Sequence, residues 1–122
     1  MKLLFCLVCR DMVSIRVDRE RTCICGQCKA VCDQDDVSVT YSGPALVLGF
    51  KNSEMTQSMR DQIEHGDSVL KPMGFPYGRE LQGHRFTAFV LPFGASCLDK
   101  EDAQPTWEQL KEQRAQYAAK QN

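Results

Sequence analysis

Apolar and polar side chains alternate with a period of two at residues 13–17, where Val13, Ile15 and Val17 share a face, and again at 37–41, where Val37, Val39 and Tyr41 do. Successive side chains of an extended backbone point to opposite sides, so this period marks a strand with one face buried. Ser42-Gly43-Pro44 breaks the second strand, and residues 45–50 follow as a short, unbroken apolar run of strand length. Residues 86–91 are apolar on both faces, which predicts a central strand inside the sheet, ended by Pro92.

After residue 52 the period becomes helical. Asn52-Ser53 offers a cap, Glu54 lies in the first turn where the helix dipole favours an acid, and Met55, Met59 and Ile63 recur as a buried stripe. The predicted helix covers 53–64, with Gly66 placed to end it. A second helix is predicted from the capping box Thr106-Trp107-Glu108-Gln109 to about residue 120. Its stripe of Trp107, Leu110 and Tyr117 is thin, so it must dock on the body or wait for a partner. Pro72, Gly74, Pro76, Gly78 and Gly83 predict a long irregular loop over 67–85, and the charged run at 99–102 predicts a linker.

The cysteines add a chemistry. Cys6-Leu-Val-Cys9 is separated by thirteen residues from the stretch Cys23-Ile-Cys25-Gly-Gln-Cys28. Paired soft thiolates at this separation suit a tetrahedral zinc ion, with 13–17 and the polar turn 18–20 as the hairpin between them, and this is the pattern of a zinc ribbon. Two ligand sets compete. Cys25-Gly-Gln-Cys28 has the usual two-residue spacing, which admits Cys28 as an alternate ligand in place of Cys23. Gly26, directly after Cys25, lets the backbone turn beneath a metal and donate to sulfur, which favours Cys6, Cys9, Cys23 and Cys25. An excess of thiolates without histidine predicts a structural rather than a catalytic ion. Cys32 and Cys97 read as small buried hydrophobes.

The resulting expectation is a small α+β protein. A zinc-ribbon hairpin at 1–32 is continuous with a small, mostly antiparallel sheet built from 37–41, 45–50 and 86–91; one packed helix completes the body at 33–98, and a linker and C-terminal helix occupy 99–122. Ordinary hydrophobic (43%) and charged (25%) content argues against disorder, and no stretch approaches the roughly 20 apolar residues of a membrane span. The apolar N-terminus is interrupted by Cys6 and Cys9 and followed at once by Arg10 and Asp11, unlike a signal peptide. An odd cysteine count clustered in pairs favours metal thiolates in a reducing compartment, hence the cytoplasm.

Four segments carry a resemblance: the opening Met-Lys-Leu-Leu-Phe-Cys-x-x-Cys-x-Asp, the Arg21-Thr22-Cys23-Ile24-Cys25-Gly26 knuckle, the run from Gly43 to Ser53, and the run from Phe86 to Pro92. Across 1–66 and 86–92 the chain resembles a group of small uncharacterised zinc-ribbon proteins encoded by bacteria and phages. In that group the second knuckle is Cys-x-Cys-Gly, which implies Cys23 and Cys25 as ligands; no activity comes with the likeness. The chain departs from the group in Arg10, where a glycine is usual, in Cys28, in the segment 67–85 and in the tail after Pro92.

No Walker-type phosphate loop, nucleophile elbow or His-Glu-x-x-His helix is present, so the expected function is non-enzymatic. The first expectation is an adaptor or inhibitor that binds another protein through Phe75, Tyr77, Arg79 and Trp107, and the phage-like resemblance suggests a host or defence protein as target. The alternative is a nucleic-acid-binding ribbon using Arg10, Arg16, Arg19, Arg21 and Lys29, which give residues 1–32 a basic excess within a chain of net charge −1. A distant third is acid–base chemistry at His65 and His84 with Glu64 or Asp67.

Overall fold

The computed structural model describes residues 2–121. Its strands are β1 (Lys2–Cys6), β2 (Met12–Ser14), β3 (Arg21–Thr22), β4 (Lys29–Cys32), β5 (Val39–Ser42), β6 (Ala45–Phe50), β7 (Pro72–Gly74), β8 (Gly78–Leu81), β9 (Ala88–Val90) and β10 (Leu98–Lys100). The helices are α1 (Asn52–His65) and α2 (Trp107–Gln121). This is a small α+β fold with a C-terminal helix. Residues Phe50–Phe89 form one compact unit, and the chain on either side of them forms the other, so the expected boundaries after 32 and 98 both fall inside the latter. No helix among the described residues is long and apolar enough to cross a membrane.

Strand alternation builds the larger unit. In β1 the buried residues are Leu4 and Cys6, and in β6 they are Ala45, Val47 and Gly49; antiparallel register sets Leu4 opposite Val47 and Cys6 opposite Ala45. In the same way Ala30 and Cys32 of β4 stand opposite Tyr41 and Val39 of β5. These faces join one core with Val8, Val13, Cys23, Cys28 and Leu110. Cys32 is buried as expected, while Cys97 is partly exposed and its carbonyl accepts from Val39 N–H at 2.8 Å.

The single predicted sheet is instead divided. β5 and β6 are consecutive but belong to different sheets, of order β10-β5-β4-β3 and β2-β1-β6-β9. Gly43 causes the division: at φ 93° it turns the chain through a conformation that other residues rarely adopt, so β6 leaves the plane of β5. β9 is an edge strand and not a central one, with Phe89 and Val90 exposed; apolar composition on both faces cannot reveal which strand has a neighbour on each side. Residues 99 and 100, expected in a linker, form β10 together with Leu98 and pair in parallel with β5. Charge on a short edge strand hides it from the hydrophobic pattern. β2 ends at Ser14, yet Ile15 and Val17 still pack on the core and Val37 is exposed before β5 begins.

In the smaller unit, α1 matches its predicted extent and ends on Gly66, whose N–H donates to the Gln62 carbonyl at 2.9 Å. The residue preceding it is Lys51, with no side-chain cap. The predicted apolar stripe is not its buried face: Met59 is 54% and Ile63 83% exposed, and Met55 is half-buried. Polar contacts hold the helix instead, with Ser58 Oγ donating to the Arg85 carbonyl and the Glu54 carboxylate accepting Thr87 N–H at 2.8 Å. The segment 67–85 is not irregular throughout, because β7 and β8 form an antiparallel hairpin. Gly74 (φ 84°) and Gly78 (φ 56°) supply its tight turn, so residues that signal a break in sequence are here turn residues.

The two kinds of apolar residue should separate in denaturant unfolding. Leu4→Ala, which empties a fully buried position, should cost about 2–5 kcal/mol; Ile63→Ala should change stability by less than about 0.5 kcal/mol.

Candidate metal centre

Each half of the centre begins as a backbone turn. Cys6 is the last residue of β1, and the chain reverses so that Arg10 N–H reaches the Cys6 carbonyl at 2.9 Å and Cys9 N–H faces Cys6 Sγ at 3.4 Å. Arg10 takes the left-handed conformation (φ 63°), which glycine reaches without steric cost. In the second turn, Gly26 (φ 80°) donates to the Cys23 carbonyl at 3.0 Å, and Cys28 N–H faces Cys23 Sγ at 3.4 Å. Gly26 therefore makes the turn as expected, but the amide aimed at the Cys23 sulfur is that of Cys28.

Two contacts set the turns against each other. Asp11, just past the first, accepts Ile24 N–H of the second at 2.9 Å. The Gly43-Pro44 turn between β5 and β6 touches both: the Pro44 carbonyl accepts Leu7 N–H at 2.8 Å, and a Cβ on Gly43 would lie 2.1 Å from the Gln27 oxygen and 2.8 Å from Cys28 Cα. Gly43 N–H donates to the Asp102 carboxylate at 3.1 and 3.2 Å, which fixes the turn from the other side.

The consequence is that the sulfurs of Cys6, Cys9, Cys23 and Cys25 all lie within 4.8 Å of one another. Cys25 Sγ is 3.7 Å from Cys6 Sγ and 3.4 Å from Cys23 Sγ. A tetrahedron with metal–sulfur bonds of about 2.3 Å has edges of about 3.8 Å, so the spacing and the soft donor set fit a four-coordinate metal ion. Cys28 lies outside this set, with its side chain wholly buried in the core.

As free thiols the members of the group differ in how readily they ionise. Burial opposes ionisation of Cys23, but the Cys28 amide and neighbouring thiols donate to it and bring it down to about 7. Burial pushes Cys6, Cys25 and Cys28 up. A metal replaces those protons, so loading releases them and weakens as pH falls.

The remaining candidates are dispersed. Arg10, Arg16 and Arg19 are exposed and Arg21 half-buried, but Asp18 and Glu20 interleave with them and Lys29 lies 3.9 Å from Glu20. Phe75, Tyr77 and Arg79 are exposed on the β7–β8 hairpin of the smaller unit, whereas Trp107 opens α2 in the larger. His65 is exposed at the end of α1; His84 is half-buried, with Nε2 enclosed and unpaired among the described residues. Asp67 accepts from Gln62 Nε2 at 3.2 Å. The capping box forms as predicted, Thr106 Oγ1 accepting Gln109 N–H at 3.2 Å and Gln109 Oε1 accepting Thr106 N–H at 2.9 Å.

Sequence reasoning missed Asp11, Gly43 and Asp102. Gly43 was legible only as a strand breaker, and nothing in the pattern pairs Asp102 with it across 59 residues. No family model, curated protein or solved structure matches this chain.

The centre should bind one zinc or cobalt ion per chain at pH 8. Cys6→Ser and Cys25→Ser should abolish the thiolate-to-cobalt absorption of a four-sulfur site, whereas Cys28→Ser should retain it. Gly43→Ala, strained at positive φ and clashing with the second turn, should destabilise the fold by about 1–3 kcal/mol, read as a lower thermal midpoint.

Proposed function

We propose that the protein is a non-enzymatic adaptor or inhibitor in which a structural zinc ion at Cys6, Cys9, Cys23 and Cys25 staples the fold and the β7–β8 hairpin engages another protein. The observation that carries this reading is the hairpin itself. Phe75 is 99% exposed at its tip, with Tyr77 and Met73 exposed beside it and Arg79 on β8. Its backbone is internally bonded, Tyr77 N–H to the Gly74 carbonyl at 2.7 Å and Gln82 N–H to that of Lys71 at 2.8 Å, so the rings are displayed on a formed element. Aromatic anchors held at low entropic cost are characteristic of protein-recognition surfaces. The all-thiolate donor set supports a structural role for the ion, and the resemblance to phage-encoded ribbons makes a host or defence protein the target class to examine first.

The test compares wild type with Phe75→Ser/Tyr77→Ser and with Arg16→Ser/Arg19→Ser. Cross-linking in a bacterial extract should yield a protein adduct that the hairpin variant loses and the arginine variant keeps. Salt-sensitive binding to labelled DNA or RNA, lost in the arginine variant alone, would overturn the proposal and move the function to nucleic acid.

A further inference from the structure

The first cysteine turn has a partner far away in the chain. The Leu7 peptide, between the two cysteines of that turn, is held on both sides: its N–H by the Pro44 carbonyl, and its carbonyl by Arg114 Nε of α2 at 2.7 Å. The Arg114 guanidinium in turn lies over the Trp107 ring, its carbon 5.6 Å from the ring centroid. Trp107 and Arg114 are seven residues apart, two helical turns, and so lie on the same side of α2. Leu110, between them, is buried in the same core as Cys6, Val8 and Cys23, and Tyr117 packs against it half-buried. A groove of about 360 Å³ beside Cys25 is walled by Gln116, Tyr117 and Lys120 of the same helix.

From this geometry we infer that α2 is a working part of the metal centre, with Arg114 as its positioning residue, and that metal loading and docking of α2 form one coupled equilibrium. The inference rests on the metal-centre reading above and extends it. The guanidinium restrains the peptide that separates two ligand cysteines, and its charge offsets a centre that carries a net charge of about −2 when four thiolates surround a divalent ion. Trp107 orients the guanidinium, which gives that exposed ring a task inside the chain. Coupling of this kind is reciprocal: whatever the metal contributes to seating α2, α2 contributes to metal affinity.

The full chain is titrated with Zn²⁺ against a chromophoric chelator, as wild type, Arg114→Met, Arg114→Lys, Lys111→Met and Leu98→Ala. Arg114→Met should weaken binding about tenfold, the scale of a lost outer-shell contact, with partial recovery in Arg114→Lys and no change in Lys111→Met. Hydrogen exchange of the zinc-loaded protein should show α2 protected by metal in wild type and less so in Arg114→Met. Leu98 lies on β10 and packs on the same core, so Leu98→Ala reports the effect of general destabilisation. Unchanged affinity in Arg114→Met, or a loss no greater than that of Leu98→Ala at an equal drop in melting temperature, would overturn the coupling while leaving the metal centre standing. A wild-type chain that took up no zinc would overturn both.

Discussion

The structure depends on one close approach, the Gly43-Pro44 turn lying against both cysteine turns at once. Leu7 N–H reaches the Pro44 carbonyl at 2.8 Å, and the backbone of Gly43 comes so near Gln27 and Cys28 that no side chain could stand there. The same turn sends β5 and β6 into separate sheets. Sheet division and thiol convergence therefore have a common cause, because a chain that continued straight from β5 to β6 would not bring β1 and the second cysteine turn to the same point.

Around that turn the larger unit has an economical core. Its buried residues include Cys6, Cys23, Cys28 and Cys32 among a modest set of aliphatic side chains, Tyr41 and Leu110. Small domains with little apolar volume gain much from a metal cross-link, since closing the loop between distant ligands removes freedom from the unfolded chain. The cysteine turns and the Gly43-Pro44 turn are then held by polar contacts of long sequence range: Ile24 N–H to Asp11, Gly43 N–H to Asp102 and Arg114 to the Leu7 carbonyl.

The smaller unit follows a different rule. α1 is held through Ser58 and Glu54 instead of its methionines, and the β7–β8 hairpin leaves its aromatic side chains in solvent. Apolar residues that a helix or hairpin does not use internally remain available for a partner, which is why the proposed recognition surface lies there and the metal centre does not.

The sequence by itself determined those features that short-range physics controls: the extents of β6 and of both helices, the capping box at Thr106, the Gly66 helix end, and the cysteine turns with Gly26 in place. Each follows from periodicity, propensity or the backbone freedom of a single residue. Only the tertiary structure decided which strands share a sheet, that β9 is an edge, that α1 buries a polar face, and that Arg114 reaches the first cysteine turn. These depend on which distant surfaces meet, and a hydrophobic pattern records that a residue prefers burial without recording what will bury it.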